Sequence, residues 1–164
     1  MIQSGTNLIV SESEAQTEAI GRSIGEVIRS GDALLLRGEM GAGKTCLTRG
    51  IALGAECEVS ARSPTFIILA EYPGRVRIFH CDLYRITGAS EAYELALDET
   101  LGRGALVVEW PENADGELPD DALEIRFVTG PSAEKRKLSM STSGPRSEDL
   151  LDRISSALLV KKQT

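Results

Sequence analysis

The sequence predicts an α/β fold in which one domain, residues 1–164, holds a mixed, mostly parallel sheet flanked by helices. Short apolar segments alternate with segments of helical periodicity, which is typical of a sheet covered by helices. Residues 38–45 read Gly-Glu-Met-Gly-Ala-Gly-Lys-Thr and match the phosphate-binding pattern G-x-x-x-x-G-K-[ST]. An apolar run precedes this loop and a helix-like stretch follows it, as a P-loop NTPase domain requires.

A short strand and an amphipathic helix are predicted at the start of the chain. Residues 7–10 suit the strand, and apolar side chains recur at helical spacing through residues 11–30. Ser11 or Ser13 is a suitable N-cap for this helix. Gly31 is a suitable end.

The phosphate-binding loop is followed by a predicted hairpin. Residues 33–37 form an apolar strand that we expect to be buried on both faces, and a helix over residues 46–53 follows the loop. Strand-like segments at 66–72 and 76–82 flank the turn residues Pro73-Gly74. This pair predicts some antiparallel pairing within the sheet.

Five further elements are predicted in the second half of the chain. They are a short helix at 90–97, a central strand at 104–110, two late strands at 123–129 and 137–142, and an amphipathic helix at 148–160.

The composition favours an ordinary water-soluble protein, with 41% hydrophobic and 26% charged residues. No apolar run approaches the ~20 residues that cross a bilayer, and the first residues lack the features of a secretory signal. We therefore expect a cytoplasmic protein with no membrane role. Because the three cysteines, Cys46, Cys57 and Cys81, form no C-x-x-C pair, neither a disulfide framework nor a zinc site is expected.

The charge argues against a broad nucleic-acid surface. The net charge is −7, and the basic residues cluster at one place, Lys135-Arg136-Lys137. Such a cluster is usually a solvated strand edge, although it also suits an anionic ligand. Any role in a nucleic-acid pathway is expected to run through another protein.

The glycine-rich loop predicts a nucleoside triphosphate site. Its glycines allow consecutive N–H groups to face one anion, and the following helix adds its dipole. Lys44 is placed to reach the β- and γ-phosphates, and the Thr45 hydroxyl to bind Mg²⁺. Nucleotide contacts are expected from eight consecutive residues: Glu39, Met40, Gly41, Ala42, Gly43, Lys44, Thr45 and Cys46.

Two carboxylates are predicted to complete the site. Asp82 and Glu109 each end a predicted strand, and strand ends of this kind meet at the ligand edge of an α/β sheet. Hydrolysis needs a carboxylate to hold Mg²⁺ and a group to orient water. We therefore expect Lys44, Asp82 and Glu109 to be catalytic. Thr45, Asp82 and Glu109 are the expected metal set, and which of the two acids is the direct ligand stays open.

Other polar residues have two interpretations each. Thr65, in Ser63-Pro64-Thr65, suits a γ-phosphate sensor or a plain turn. Arg85 and Trp110 suit either the nucleotide site or ordinary packing. His80 is the only histidine, and we expect it to be a structural residue.

Four segments, in order and spacing, resemble the TsaE (YjeE) family of small bacterial P-loop ATPases. The segments are residues 38–45, Ser63-Pro64-Thr65-Phe66, His80-Cys81-Asp82-Leu83-Tyr84-Arg85 and Glu109-Trp110-Pro111. The resemblance covers nearly the whole chain. It implies a role in making threonylcarbamoyladenosine in tRNA.

The resemblance also implies roles for single residues. Thr65 would lie in a switch-like loop near the γ-phosphate, and therefore among the ATP contacts. Asp82 would act on the metal or the attacking water, Glu109 would lie at the Mg²⁺ site, and Trp110 beside the nucleotide. Adenine would lie between two segments, residues 13–17 and 132–136.

The partners implied by the resemblance are a TsaD-type transferase subunit and its TsaB-type paralogue. Members of the family hydrolyse ATP weakly alone and act in complex with these partners. ATP binding would permit docking, and hydrolysis would reset the complex. The tRNA would be contacted only indirectly, through the partners.

Two alternative functions remain open at the level of the sequence. A small-molecule kinase would use the same loop, but it needs an acceptor site and usually an arginine-rich lid, which the scattered arginines do not provide. A nucleotide-dependent interaction module with incidental hydrolysis is the other. A GTPase is disfavoured because the [NT]-K-x-D guanine motif is missing.

The chain departs from the family at Cys46, where a second threonine is usual after Thr45. A thiol is a weaker hydrogen-bond donor than a hydroxyl, so we expect slightly looser nucleotide binding. Cys46→Thr should tighten nucleotide affinity by about threefold, the size of a modest hydrogen bond, measured by equilibrium titration. Cys57→Ser is the matched control, and an unchanged affinity in Cys46→Thr would refute the expectation.

Overall fold

The structure is a seven-stranded sheet with helices on both faces. This computed structural model describes residues 7–58, 68–114, 116–132 and 134–161. In chain order, the elements are β1 (Leu8–Ser11), α1 (Glu14–Val27), β2 (Ala33–Arg37), α2 (Lys44–Gly54), β3 (Leu69–Tyr72), β4 (Ile78–Asp82), α3 (Ala89–Glu94), α4 (Leu97–Thr100), β5 (Ala105–Glu109), a 3₁₀ turn (Pro111–Ala114), β6 (Leu123–Thr129), β7 (Arg136–Thr142) and α5 (Pro145–Val160).

The sheet is parallel at its centre and antiparallel at both edges. The strand order is β1-β7-β6-β2-β5-β4-β3. The four central strands, β6, β2, β5 and β4, pair in parallel, whereas β7, β1 and β3 pair antiparallel. The predicted α/β class is therefore confirmed, as is the hairpin, of which the described part begins at Leu69.

A separate apolar core covers each face of the sheet. Leu34 and Leu36 of β2 point into the core formed with α1, α2 and α5. Ala33 and Leu35 point into the opposite core, formed with α3 and α4. The alternation explains why β2 reads as a continuous apolar run, since both of its faces are buried. Because parallel neighbours lie on both sides of β2, its carboxyl end, where the glycine-rich loop begins, lies inside the sheet rather than at an edge.

Helix ends differ from the predicted ones where the backbone changes direction. α1 begins after Ser13, whose side chain caps it, and ends at Val27 rather than Ser30 because Ile28 is extended and fully buried. The helix predicted at 90–97 is two short helices, since Ala96 adopts a left-handed conformation with φ 48°. In the described residues, no helix is long and apolar enough to span a membrane.

The backbones of α1 and α2 lie in direct contact because glycines face each other. A side chain has no room at these positions: a Cβ at Gly25 would lie 2.1 Å from the carbonyl oxygen of Ile51. A Cβ at Gly54 would lie 2.0 Å from the carbonyl oxygen of Arg22. Gly21 and Gly50 are similarly close to the opposite helix. This contact fixes α2, and with it the helix start that follows the glycine-rich loop.

We predict that Gly54→Ala lowers the free energy of unfolding by about 2 kcal/mol, because overpacking forces the two backbones apart. Alanine normally stabilises a helix by about 0.5–1 kcal/mol relative to glycine, so a loss would report the interhelical contact. Chemical denaturation measures the change.

Gly102→Ala is the control, since the first atom its Cβ would meet is the Glu99 carbonyl oxygen at an ordinary 3.7 Å. It should change stability by less than about 0.5 kcal/mol. Equal stability of Gly54→Ala and the unmutated chain would contradict this view of the helix contact.

Candidate functional site

The glycine-rich loop connects β2 to α2 through a backbone that requires glycine. Gly41 and Gly43 have φ of 76° and 111°, in the left-handed region that other residues rarely adopt. The Ala42 amide donates to the Glu39 carbonyl at 3.1 Å and closes the turn between them. Gly43 is the N-cap of α2, and in the described residues no side chain caps this helix start. Its first N–H groups are therefore left for another acceptor.

The first turn of α2 lines a cleft of about 440 Å³. Lys44 and Thr45 of that turn meet the carboxyl ends of two neighbouring strands, where Asp82 and Glu109 lie. Opposite them, the start of α1 contributes Glu14. Thr45 and Asp82 are 37 positions apart in the sequence, and Glu109 is farther still from Thr45. The fold nevertheless brings all three to one concave surface.

The two acids lie side by side because β4 and β5 pair in parallel, with Asp82 opposite Glu109. The Thr45 hydroxyl lies 3.2 and 3.4 Å from the two carboxylate oxygens of Glu109 and donates to that group. The Tyr84 amide donates to Asp82 Oδ1 at 2.9 Å. Glu109 is 2% exposed and Asp82 9%, so both carboxylates have specific orientations.

Lys44 is held among polar and aromatic groups. Its Nζ donates to the Gly38 carbonyl and lies 3.7 Å from the ring centre of Trp110. Burial lowers the pKa of Lys44, and the negative charges of Glu109, Glu112 and Asp82 oppose that shift. A lysine so desolvated binds a new anion strongly, because little water has to be removed from it.

Trp110 adopts a left-handed backbone conformation with φ 58°, which is rare for a residue with a large side chain. Its ring packs against Tyr84, with ring centres 5.0 Å apart, and covers Lys44. A strained backbone of this kind costs about 1 kcal/mol or more and is concentrated at functional sites. It places the indole over the cleft.

The basic cluster contributes one residue to the cleft. Arg136, at the start of β7, donates from Nε to the Ala42 carbonyl at 2.7 Å and lines the cleft. Lys135 instead pairs with Glu12 at 3.5 Å on the exposed surface. Lys135 thus lies on the solvated surface, whereas Arg136 lies where it could meet an anionic ligand, which stays a prediction. Arg136 and Glu14 also bring the two segments predicted for adenine to the same cleft.

A protein-family model described as "Threonylcarbamoyl adenosine biosynthesis protein TsaE" matches residues 11–138. This chain belongs to the TsaE family. TsaE proteins of Treponema pallidum and Bacillus subtilis, both named "tRNA threonylcarbamoyladenosine biosynthesis protein TsaE", are similar to it. The first is 36% identical over 71% of this chain and 87% of the relative, the second 35% identical over 85% and 88%.

A crystal structure of Bacillus subtilis YdiB has the same fold. It superposes with a TM-score of 0.75 at 27% identity, and the match covers 95% of this chain and 98% of YdiB. The structural match extends beyond residues 11–138, which the family model matches. The predicted fold class and family are confirmed together.

Cys46, where this TsaE family member has a thiol, lies between the loop and α1. Its Sγ donates to the Glu14 carbonyl at 3.3 Å, and Arg49 approaches the same sulfur at 3.7 Å. Burial raises the pKa of the thiol. The side chain lines the cleft while its thiol bonds to α1, so a substitution at this position would affect both the loop and its neighbouring helix.

His80 is buried and hydrogen-bonded, as expected of a structural residue, and what the sequence did not indicate is its contact with Glu109. It is fully buried, and its Nε2 lies 3.0 Å from Glu109 Oε1. On the other side of the ring, the Tyr72 hydroxyl lies 3.3 Å from Nδ1. The available signal was its spacing, since His80 and Asp82 alternate along one strand and so share a face.

The structure brings together most of the predicted site. Lys44, Thr45, Asp82 and Glu109 share one cleft with Trp110 and Arg85. Met40, Gly41, Gly43 and Cys46 also line this cleft, whereas Glu39 lines the adjoining groove. Thr65 lies outside the described residues, so its predicted place near the γ-phosphate stays a prediction.

Proposed function

We propose that this TsaE family member binds ATP with Mg²⁺ in the cleft and hydrolyses it, and that hydrolysis drives the cycle of a threonylcarbamoyl transferase complex acting on tRNA. One observation carries the proposal: Lys44 and Thr45 of the P-loop lie in one cleft with the strand-end acids. Within this cleft the Thr45 hydroxyl donates to the Glu109 carboxylate at 3.2 Å. Phosphate groups and carboxylates repel each other, so a cleft containing both requires a cation.

Several features support triphosphate binding at the loop. The uncapped start of α2 offers N–H groups and the positive end of the helix dipole. The Lys44 ammonium contacts a neutral carbonyl group and an aromatic ring. A phosphate would be a stronger partner for this ammonium than either group. Lys44 would exchange these partners on binding. Trp110 would then report the exchange through its fluorescence, since it is the only tryptophan.

The donor set fits Mg²⁺. The ion prefers hard oxygen ligands and usually takes one or two carboxylates together with phosphates and water. Thr45 offers a hydroxyl, and Asp82 and Glu109 offer carboxylates. When bound, Mg²⁺ neutralises phosphate charge and orients the phosphates. Thr45 and at least one of the two acids, Asp82 and Glu109, would therefore share the ion with the nucleotide.

The protein groups supply position and charge for hydrolysis. Asp82 is oriented by the Tyr84 amide and lines the cleft, so its carboxylate can hold a water and accept its proton. Lys44 stabilises charge on the transferred phosphoryl group. The cleft opens to solvent beside Met40 and Tyr84, which are 67% and 49% exposed. An incompletely enclosed site supports weak turnover by the isolated chain.

The proposed partners are a TsaD-type transferase subunit and a TsaB-type paralogue, with tRNA bound only through them. A net charge of −7 supports this indirect role, because phosphate backbones are bound by clustered cations. The exposed side chains at the mouth of the cleft support docking there. A partner that covers Met40 and Tyr84 would also exclude water from the nucleotide.

The test is the variant Asp82→Asn in a reconstituted system containing both partners, tRNA and the threonylcarbamoyl donor. We expect ATP hydrolysis to fall at least about 100-fold, as for loss of a general base, with ATP still bound. One round of tRNA modification should be retained and repeated turnover lost. Hydrolysis and modified tRNA are measured on the same samples.

Two controls make the result specific. Asp98→Asn changes an exposed acid on α4 and should leave both activities unchanged. Lys44→Ala should prevent nucleotide binding. Repeated turnover by Asp82→Asn without hydrolysis would contradict the proposed role and favour an interaction module. Transfer of phosphate to a metabolite instead of water would favour a kinase.

A further inference from the structure

We propose that His80 is a positioning residue that holds the Glu109 carboxylate in the orientation needed to act with Thr45 at the metal site. The chain of contacts Tyr72–His80–Glu109–Thr45 carries this inference. It rests on the proposed function, because it assigns a purpose to Glu109 that only an ATP–Mg²⁺ site gives. The role is indirect: His80 acts through Glu109.

The sheet brings these residues together through its register. β4 and β5 run in parallel, with His80 opposite Val107 and Asp82 opposite Glu109. Val107 belongs to the core on the α2 side of the sheet, so the alternate residue Glu109 points to the same side. His80 and Glu109 therefore lie on the same side of the sheet as α2, and the Glu109 carboxylate contacts both His80 and Thr45.

The geometry suits one tautomer of a neutral imidazole. In that tautomer Nε2 donates its hydrogen to a carboxylate oxygen of Glu109, which accepts it. Nδ1 then accepts a hydrogen bond from the Tyr72 hydroxyl. Tyr72 of β3 and Glu109 of β5 thus contact opposite edges of the His80 ring.

Burial makes these bonds restrictive. His80 is fully buried, and Tyr72 and Glu109 are 6% and 2% exposed. A buried polar group without its partner is costly, so each hydrogen bond selects one rotamer. A plain packing role would be served equally well by an apolar side chain, whereas a carboxylate that binds a metal ion is itself oriented by hydrogen bonds from outer groups, which His80 can provide for Glu109.

The closing experiment compares His80→Gln with His80→Leu. The glutamine amide retains an N–H donor near the position of Nε2, whereas leucine fills the space without a donor. The probe is Mg²⁺ titrated into the full chain with a non-hydrolysable ATP analogue, followed by Trp110 fluorescence. We expect the half-saturating Mg²⁺ concentration to rise at least about tenfold in His80→Leu, as for loss of an outer-shell partner.

In His80→Gln the half-saturating Mg²⁺ concentration should stay within about threefold of that of the unmutated chain, because glutamine retains the N–H donor. Affinity for the analogue without metal should be the same in both variants. Tyr72→Phe removes the outer hydrogen bond and leaves the His80–Glu109 contact, so it should have the smaller effect. The free energy of unfolding is measured for each variant, and a packing role predicts changes in stability without a change in the Mg²⁺ dependence.

A second measurement needs neither metal nor a variant of His80. Because the chain has one histidine, its imidazole ¹⁵N signals are assigned directly. We expect a hydrogen on Nε2 facing Glu109, and we expect Glu109→Gln to shift the Nε2–H signal. A ring protonated only at Nδ1, or no shift in Glu109→Gln, would overturn the proposal.

The outcomes separate this inference from the function on which it rests. If the unmutated chain shows no Mg²⁺-dependent response with the analogue, the proposed function fails, and the positioning role fails with it. If the unmutated chain responds and His80→Leu gives the same curve, the positioning role alone is wrong. Equal Mg²⁺ weakening in His80→Gln and His80→Leu would also overturn it, because the donor would then be irrelevant.

Discussion

The hydrogen bond between Thr45 and Glu109 joins the two parts of the molecule on which the site depends. Thr45 lies in the first turn of α2, directly after the glycine-rich loop, and Glu109 ends a central strand. A buried carboxylate is unstable without donors, so this contact constrains the separation of α2 and the sheet. The glycine contact between α1 and α2 fixes the same helix from its other side.

The charge distribution of the cleft explains why the proposed binding of a triphosphate there would require a divalent cation. The chain is anionic overall, and two nearly buried acids line the cleft. Lys44 and Arg136 are cations beside the loop backbone, and each of them bonds to a loop carbonyl. A triphosphate entering this cleft is repelled by the acids unless a divalent ion lies between them. Nucleotide and metal binding are therefore expected to be strongly coupled.

Features that depend on consecutive residues could be predicted from the sequence, whereas contacts between distant residues could not. The bounds of β2 and β6 match those predicted, because continuous apolar runs and flanking turns define them. The position of the glycine-rich loop between β2 and α2 was predicted correctly, since its pattern consists of consecutive residues. The short helix at 90–97 was predicted as one element, because the left-handed conformation at Ala96 has no glycine to indicate it.

Two contacts of the site depend on pairings across the sheet that no local pattern encodes. His80 reaches Glu109 across 29 positions through the register of β4 and β5. Arg136 reaches Ala42 across 94 positions because β7 begins beside the loop. A lone histidine and a short basic cluster are common in sequences. Only the residues around them in the fold show that His80 and Arg136 belong to the site, rather than to the apolar core or the solvated surface.

The most direct test of the nucleotide site is a crystal structure of the chain with Mg²⁺ and a non-hydrolysable ATP analogue. We expect the triphosphate along the backbone of Gly41 to Lys44, and Mg²⁺ in contact with the Thr45 hydroxyl and at least one of the two acids, Asp82 and Glu109. A nucleotide bound elsewhere, or a metal ion that contacts none of these three side chains, would contradict the proposed site.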